Sequence, residues 1–374
     1  MSTLGVVLAL AEINEVNFHA TKWQRCLLTI GVAAVVSAFN ALAATHLSVA
    51  EGVFALCHVY ALVPIVVSLW VLAPKRSATD VFLHFTDNGG DWPTIHLSVL
   101  VGQLPSIFTW LGSEATSHIA EEIEEPDTVL PRCMVWSYFI NAPGTLLVLL
   151  TYAFNISNLD EVMSDVVPLV SLLRSAFLSK EVTTGLVTVL LLLVFMVAIS
   201  TMVLTSRHLF AFGRDRALYS SPWFAKIDTR LGVPLNAIYS TLFFTVILST
   251  VTIGNSHPLY TMMGLAVAAL MTCYSISIAS LMLKRLSGEA LPRASWSLGK
   301  AGIWINGAAL LYSVWSLFWS FWPIKYQPGA TDFNWTLVLY FFVLGYASAF
   351  LIAGRRRLGK HLKEMKSDLT LRMD

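Results

Sequence analysis

The stretch FTWLGSEATSHIAEEIEEPDTVLPR, residues 108–132, decides the reading of this chain. It opens inside an apolar run that starts near Ile95, so a glycine, two hydroxyls, an acid and a histidine stand where lipid or packed protein belongs. An acid at the centre of a membrane helix costs about 2.5–3.5 kcal/mol on insertion scales, so Glu114 requires a wet or paired environment. Gly112, with Pro105 half a span earlier, permits the helix to break. A broken membrane helix is tolerated only where its freed backbone groups meet protein or line a cavity. That is the physical description of a solute site near the membrane midplane.

The rest of the chain supplies the membrane. Its 374 residues are 56% apolar and 13% charged, with mean hydropathy +0.68. A soluble domain carries about 25% charged residues, so the chain reads as an all-α polytopic membrane protein. Apolar segments long enough to span lie near 27–45, 53–73, 95–116, 135–155, 182–206, 235–254, 259–283, 303–323 and 335–353. They leave one membrane domain over 1–374 and a short basic tail, 355–374. A formal charge of +1 gives no reason to expect nucleic acid as a partner, and the oligomeric state is not written in the sequence. The four cysteines form no CxxC pair, so neither a disulfide framework nor a metal site is expected.

Lysine and arginine counts orient the spans. With the C-terminal tail on the cytoplasmic side, 17 of the 24 fall inside and seven outside, a positive-inside bias. Two N-x-S/T sequons, at Asn155 and Asn334, then lie on the outer side, both close to a membrane boundary. Trp23, Trp70, Trp136, Trp322 and Trp335 stand near span ends and fit interfacial belts. Residues 1–22 show neither a basic n-region nor a cleavage site, and Leu4–Ala11 is too short to span. The chain is therefore expected to begin in the middle of a helix.

Three segments carry a family resemblance: GSEATSHIAEEIEEPDTVLPR at 112–132, STMVLTSRHLFAFGRDRALYSSPWFAKID at 200–228 followed by VPLNAI, and KRLSG…LPRASWSLGKAGIWIN between two late spans. Together they resemble the amino acid–polyamine–organocation superfamily, in its fungal branch of GABA, choline and amino acid permeases. The resemblance implies a fold of five-plus-five inverted repeats, with solute held between broken helices one and six. Aligned this way, the nine segments correspond to spans four to twelve, and the first two to three spans are absent. Residues Phe108, Thr109, Gly112, Ser113 and Glu114 are then expected to line the solute pocket, Glu114 facing a cationic amine.

The same resemblance implies coupling residues. His58, titratable and costly within its span, is expected to face Ser200 and Thr201 and to take the place of a sodium ion, with a proton as the coupling ion. The plainer reading makes His58 a packing residue. At the inner end of span six, His118 and Glu122 are four apart and can share one helix face. Glu121 or Glu122 can pair with Arg207 or Arg214 as a gate, against the reading of the acidic run as a solvated face. The basic loop 206–228 and the tail Arg355–Arg357 with Lys360, Lys363 and Lys366 read as topology determinants and lipid-headgroup contacts.

An enzyme is not indicated. The nine histidines are scattered without an HxxxH pair, and neither a P-loop nor a GxGxxG fingerprint is present. The sequence leaves two readings. One is a proton-coupled secondary transporter of amino acids or related amines, in the plasma or vacuolar membrane. The other is a truncated, non-transporting relative such as a sensor, a regulatory fragment or an inactive product.

Overall fold

The computed structural model describes residues 2–371 except 16–19, 44–45, 88, 157–158, 160–161, 163–166, 178, 219, 255–257, 289–294 and 330–331. Side chains are not described for Ser2, His118, Ile119, Glu121, Glu122, 251–254, 258 and 354–371. Eight helical segments among the described residues are long and apolar enough to cross a membrane, including Ile95–Ser117, which is interrupted. The segment expected at 235–254 is also helical throughout, as Leu235–Gly254, with a described apolar length of Leu235–Thr250. The chain is an all-α, multi-pass integral membrane protein. It divides into two compact units, between which it crosses at 86/87, 112/113, 211/212, 222/223 and 255/256.

The first unit holds α1 (Ser2–Asn14), α2 (Lys22–Leu42), α3 (Leu47–Leu72), α4 (Ala78–Phe82), a 3₁₀ helix (Ser113–Glu122) and α7 (Pro126–Asn155). It continues with α8 (Pro168–Ala176), α9 (Lys180–Arg214) as far as Ala211, and α11 (Leu235–Gly254). Its α2 shows why the sequence packs as it does. Thr29, Ala33, Ser37 and Ala41 recur every four residues and are all buried, and α11 lies against that helix. Small residues let membrane helices approach closely where no hydrophobic effect drives them together. Cys26 Sγ and Ser249 Oγ meet at 3.6 Å in this contact. At the other end, Ala41 packs with Val233 and Ile238.

A second core forms under α8, which is far too short to span. Pro168 starts it at a position where a missing N–H costs nothing, and Val170, Leu172, Leu173 and Ala176 point inward. They pack against Ile65 and Leu69 of α3, Val187 of α9, and Val6 and Ala9 of α1. Nearby, the ends of α3 and α7 are stapled together. Trp70 Nε1 donates to Thr151 Oγ1 at 2.9 Å, and Lys75 Nζ donates to Asn155 Oδ1 at 2.9 Å. Lys75 also caps the carbonyls of Leu69 and Ala73 and lies 5.5 Å from the Trp70 ring centroid. Trp70 is thus a structural partner here as well as a candidate interface anchor.

The second unit holds α5 (Ile95–Val101), α6 (Leu104–Thr109), α12 (Pro258–Leu286), α13 (Gly302–Trp319) and α14 (Thr336–Leu371), together with the short loop helix α10 (Ser221–Phe224) at its 222/223 edge. Gly264 of α12 permits the tightest approach: a Cβ there would sit 2.5 Å from Thr336 Oγ1 and 3.0 Å from Ser320 O. Thr336 Oγ1 donates to Thr261 O at 2.9 Å, and Asn334 Nδ2 donates to Ser320 O and Trp322 O at 3.1 and 2.9 Å. Trp322 packs on Trp92 and Trp319, so it too has a packing role beyond the membrane boundary. Both sequon asparagines are buried, Asn155 at 1% and Asn334 at 4% exposure.

Candidate functional site

The segment from Ile95 is broken twice. Thr94 caps α5, and the helix stops at Gly102 and Gln103, one turn before Pro105. Proline has no N–H to offer the carbonyl four residues back, so a helix running into Pro105 loses its bond to Val101 O. Gln103 occupies the gap. Its Nε2 donates to Leu100 O at 2.7 Å, and its Oε1 accepts from Trp315 Nε1 of α13 at 3.1 Å. Leu104 and Ile107 of α6 are buried against Val267 and Met271 of α12.

The second break follows Thr109. Gly112 has φ +106°, a conformation that side chains disfavour, while a Cβ there would meet nothing within 4 Å. Conformation, and not space, therefore demands glycine. Beyond it the chain enters the 3₁₀ helix Ser113–Glu122. A run of this length is unusual, and it sets a different register. The side chains of His118, Glu121 and Glu122 lie outside the described residues.

Phe108, Thr109 and Gly112 belong to the second unit and Ser113 and Glu114 to the first. Phe108 is 40% exposed, and Thr109 Oγ1 donates back to Pro105 O at 2.8 Å. Ser113 and Glu114 are half-buried. The Glu114 carbonyl accepts from Ser117 Oγ at 2.6 Å.

His58 and Ser200 each have a described hydrogen bond to another residue. His58 Nδ1 lies 2.7 Å from Phe54 O on its own helix. Ser200 of α9 instead donates to Glu51 Oε2 at 2.7 Å, two turns before His58 on α3. Thr201, the neighbour, donates to Val197 O at 2.8 Å and faces a cavity. Sequence reasoning weighted the imidazole because it titrates near neutrality, and passed over Glu51. The available signal was the one used for Glu114, an acid within an apolar run, LSVAEGVFALC.

Of the arginines expected to form a gate, Arg207 is half-buried on α9. Arg214 pairs with its neighbour Asp215 at 3.1 Å. The loop that follows is shaped by Asp228, whose carboxylate accepts from Leu231 N at 3.0 Å and Arg230 N at 2.9 Å. Those bonds, Leu231's first, hold its carboxyl below the usual range. The aspartate that ends the 200–228 segment therefore has a turn-forming role.

Within the first unit a cavity of about 440 Å³ lies between α1, α2, α9 and α11. Its polar lining is threonine: Thr3, Thr29, Thr201, Thr205, Thr241 and Thr245. Five of these hydroxyls donate to a carbonyl four residues back on their own helix, which leaves them as acceptors. The four-residue Thr spacing on α9 and α11 was visible in the sequence but is also ordinary in membrane helices.

Known proteins resemble the chain in sequence. The chain is 25% identical over 82% of its length to Amino-acid permease BAT1 of Arabidopsis thaliana, and 24% identical over 86% to Amino-acid permease 2 of Neurospora crassa. It is 24% identical over 67% of its length to a choline transporter of Saccharomyces cerevisiae. It spans 61%, 59% and 44% of those proteins respectively, so about three fifths of the permeases. The family model described as amino acid permease matches residues 1–344, and the chain belongs to that family.

Proposed function

We propose that the chain is a proton-coupled secondary transporter of amino acids or related amines such as GABA or choline. The observation that carries this reading is the second break of the Ile95 segment, where Gly112 at φ +106° is followed two residues later by half-buried Glu114. Irregular backbone at membrane depth needs a polar counterpart, and a solute supplies one. Glu114 suits a solute with a cationic nitrogen, because a charge-assisted bond to a carboxylate is stronger than a neutral one. Relatives named for amino acids and for choline share that chemical feature among their solutes.

Solute binding tests the reading. The purified chain is heated with amino acids, GABA, choline and polyamines in turn, and its unfolding midpoint recorded. At least one cationic solute is expected to raise the midpoint, and Glu114→Gln to remove most of that rise. A panel without effect on the wild type argues against a solute site.

A further inference from the structure

Arg285 stands in the last turn of α12, and Gly302 opens α13, which packs back against that helix. The Arg285 guanidinium lies on the Gly302 backbone. A Cβ at 302 would collide with Nη1 and sit 3.0 Å from both Cζ and Nη2. Gly302 is itself buried, so the missing side chain leaves the space that the arginine fork occupies. That fork carries five N–H donors and a permanent charge, and it has no acceptor of its own.

These donors lack a counterpart. Arg285 is half-buried, and its Nε is fully covered without a hydrogen-bond partner among the described residues. No acid among the described residues pairs with it, and Glu289, the nearest acid in the sequence, lies outside them. Asn306, four positions along α13 and on the face of Gly302, supplies a second covered donor without a partner, its Nδ2. Covered donors cost free energy until an acceptor reaches them. The neighbouring residues show what that acceptor is. Lys284 and Lys300 are exposed, and Trp304 and Trp296 are 81% and 44% exposed. Indoles left this open beside a membrane helix belong at the level of the lipid headgroups.

We propose that this corner holds the headgroup of one anionic phospholipid, its phosphate bound by the Arg285 fork and its further negative charge facing Lys284 and Lys300. A phosphate offers paired oxygens that match two N–H groups of a guanidinium, a match that an ammonium cannot make. On the orientation that the lysine and arginine counts give, the corner lies in the cytoplasmic leaflet, where anionic lipids are held. Basic pockets between membrane helices on that side suit such headgroups. The basic loop 206–228 and the tail read as contacts of general charge, whereas the backbone at Gly302 fixes one fork in one place. The proposal does not depend on the transport reading.

The purified full chain is placed in nanodiscs of phosphatidylcholine with a minor share of phosphatidylserine, and the lipids it retains are identified by native mass spectrometry. The wild type is expected to keep phosphatidylserine in preference to phosphatidylcholine. Arg285→Lys and Gly302→Ala leave the net charge unchanged, and each should weaken that preference by about 10-fold or more, as the loss of one charged hydrogen bond does. No preference in the wild type, or an undiminished one in Arg285→Lys, overturns the proposal whether or not Gly302→Ala folds. If Gly302→Ala folds, an undiminished preference there overturns it as well. In nanodiscs of phosphatidylcholine alone, inorganic phosphate should leave the melting midpoints of the wild type and Arg285→Lys equally unmoved. A phosphate-dependent rise that Arg285→Lys lacks would assign the corner to a free anion and overturn the lipid.

Discussion

Lys75 Nζ donates to Asn155 Oδ1 at 2.9 Å, while Asn155 Nδ2 donates to Thr151 O at 2.6 Å. The amide of a glycosylation sequon is thus spent on joining the ends of α3 and α7. Asn334 is spent in the same way on two carbonyls beside α14. Neither side chain can carry a glycan without leaving its site.

Expressed in a glycosylating host, the chain should therefore migrate identically before and after treatment with a peptide N-glycosidase. Asn155→Ala should lower stability, because a bond to a charged group contributes about 1.5–3 kcal/mol and this Lys75 is exposed enough to sit at the lower end. A mobility shift that disappears in Asn155→Ala would show the amide to be accessible.

Gly264→Ala should destabilise the second unit by about 1–3 kcal/mol, the usual cost of overpacking. The added methyl meets Thr336 Oγ1 at 2.5 Å and the Ser320 carbonyl at 3.0 Å. Adding Thr336→Ala should recover only part of the loss, since the Ser320 backbone cannot be trimmed. Melting of the two variants checks this, and full recovery would place the conflict in the threonine alone.

Much of the helical layout was legible because a run of about 20 apolar residues has no competing interpretation. The break at Gly112 was legible for a similar reason, a glycine followed at once by an acid. The earlier stop at Gly102 and Gln103 was harder to see. Pro105 forecasts it, but the anchoring of Gln103 by Trp315 comes from a residue more than two hundred positions away. Helix α8 escaped because nine residues fall below any spanning length. The bond between Glu51 and Ser200 was equally hard to see. Which turn of α3 meets which turn of α9 is set by packing among Leu47, Phe54, Ile199 and Met202, and sequence periodicity within either helix does not reveal it.

Asp228 gives a pH signature. Its carboxyl is held low by two backbone N–H donors, so it stabilises the turn before α11 at and above the ordinary aspartate range. That contribution should fade as the pH drops through its depressed value. The stability difference between wild type and Asp228→Ala should accordingly be small but measurable near neutrality and shrink on acidification. A difference that grows towards acid would contradict the assigned bonds.

The most direct test of the transport reading is solute counterflow. Liposomes containing the purified chain are loaded with unlabelled GABA, choline or an amino acid mixture and diluted into the labelled compound. The account predicts transient accumulation of label above its equilibrium level for at least one solute, reduced by Glu114→Gln. Label uptake no different from protein-free liposomes across the whole panel would contradict it.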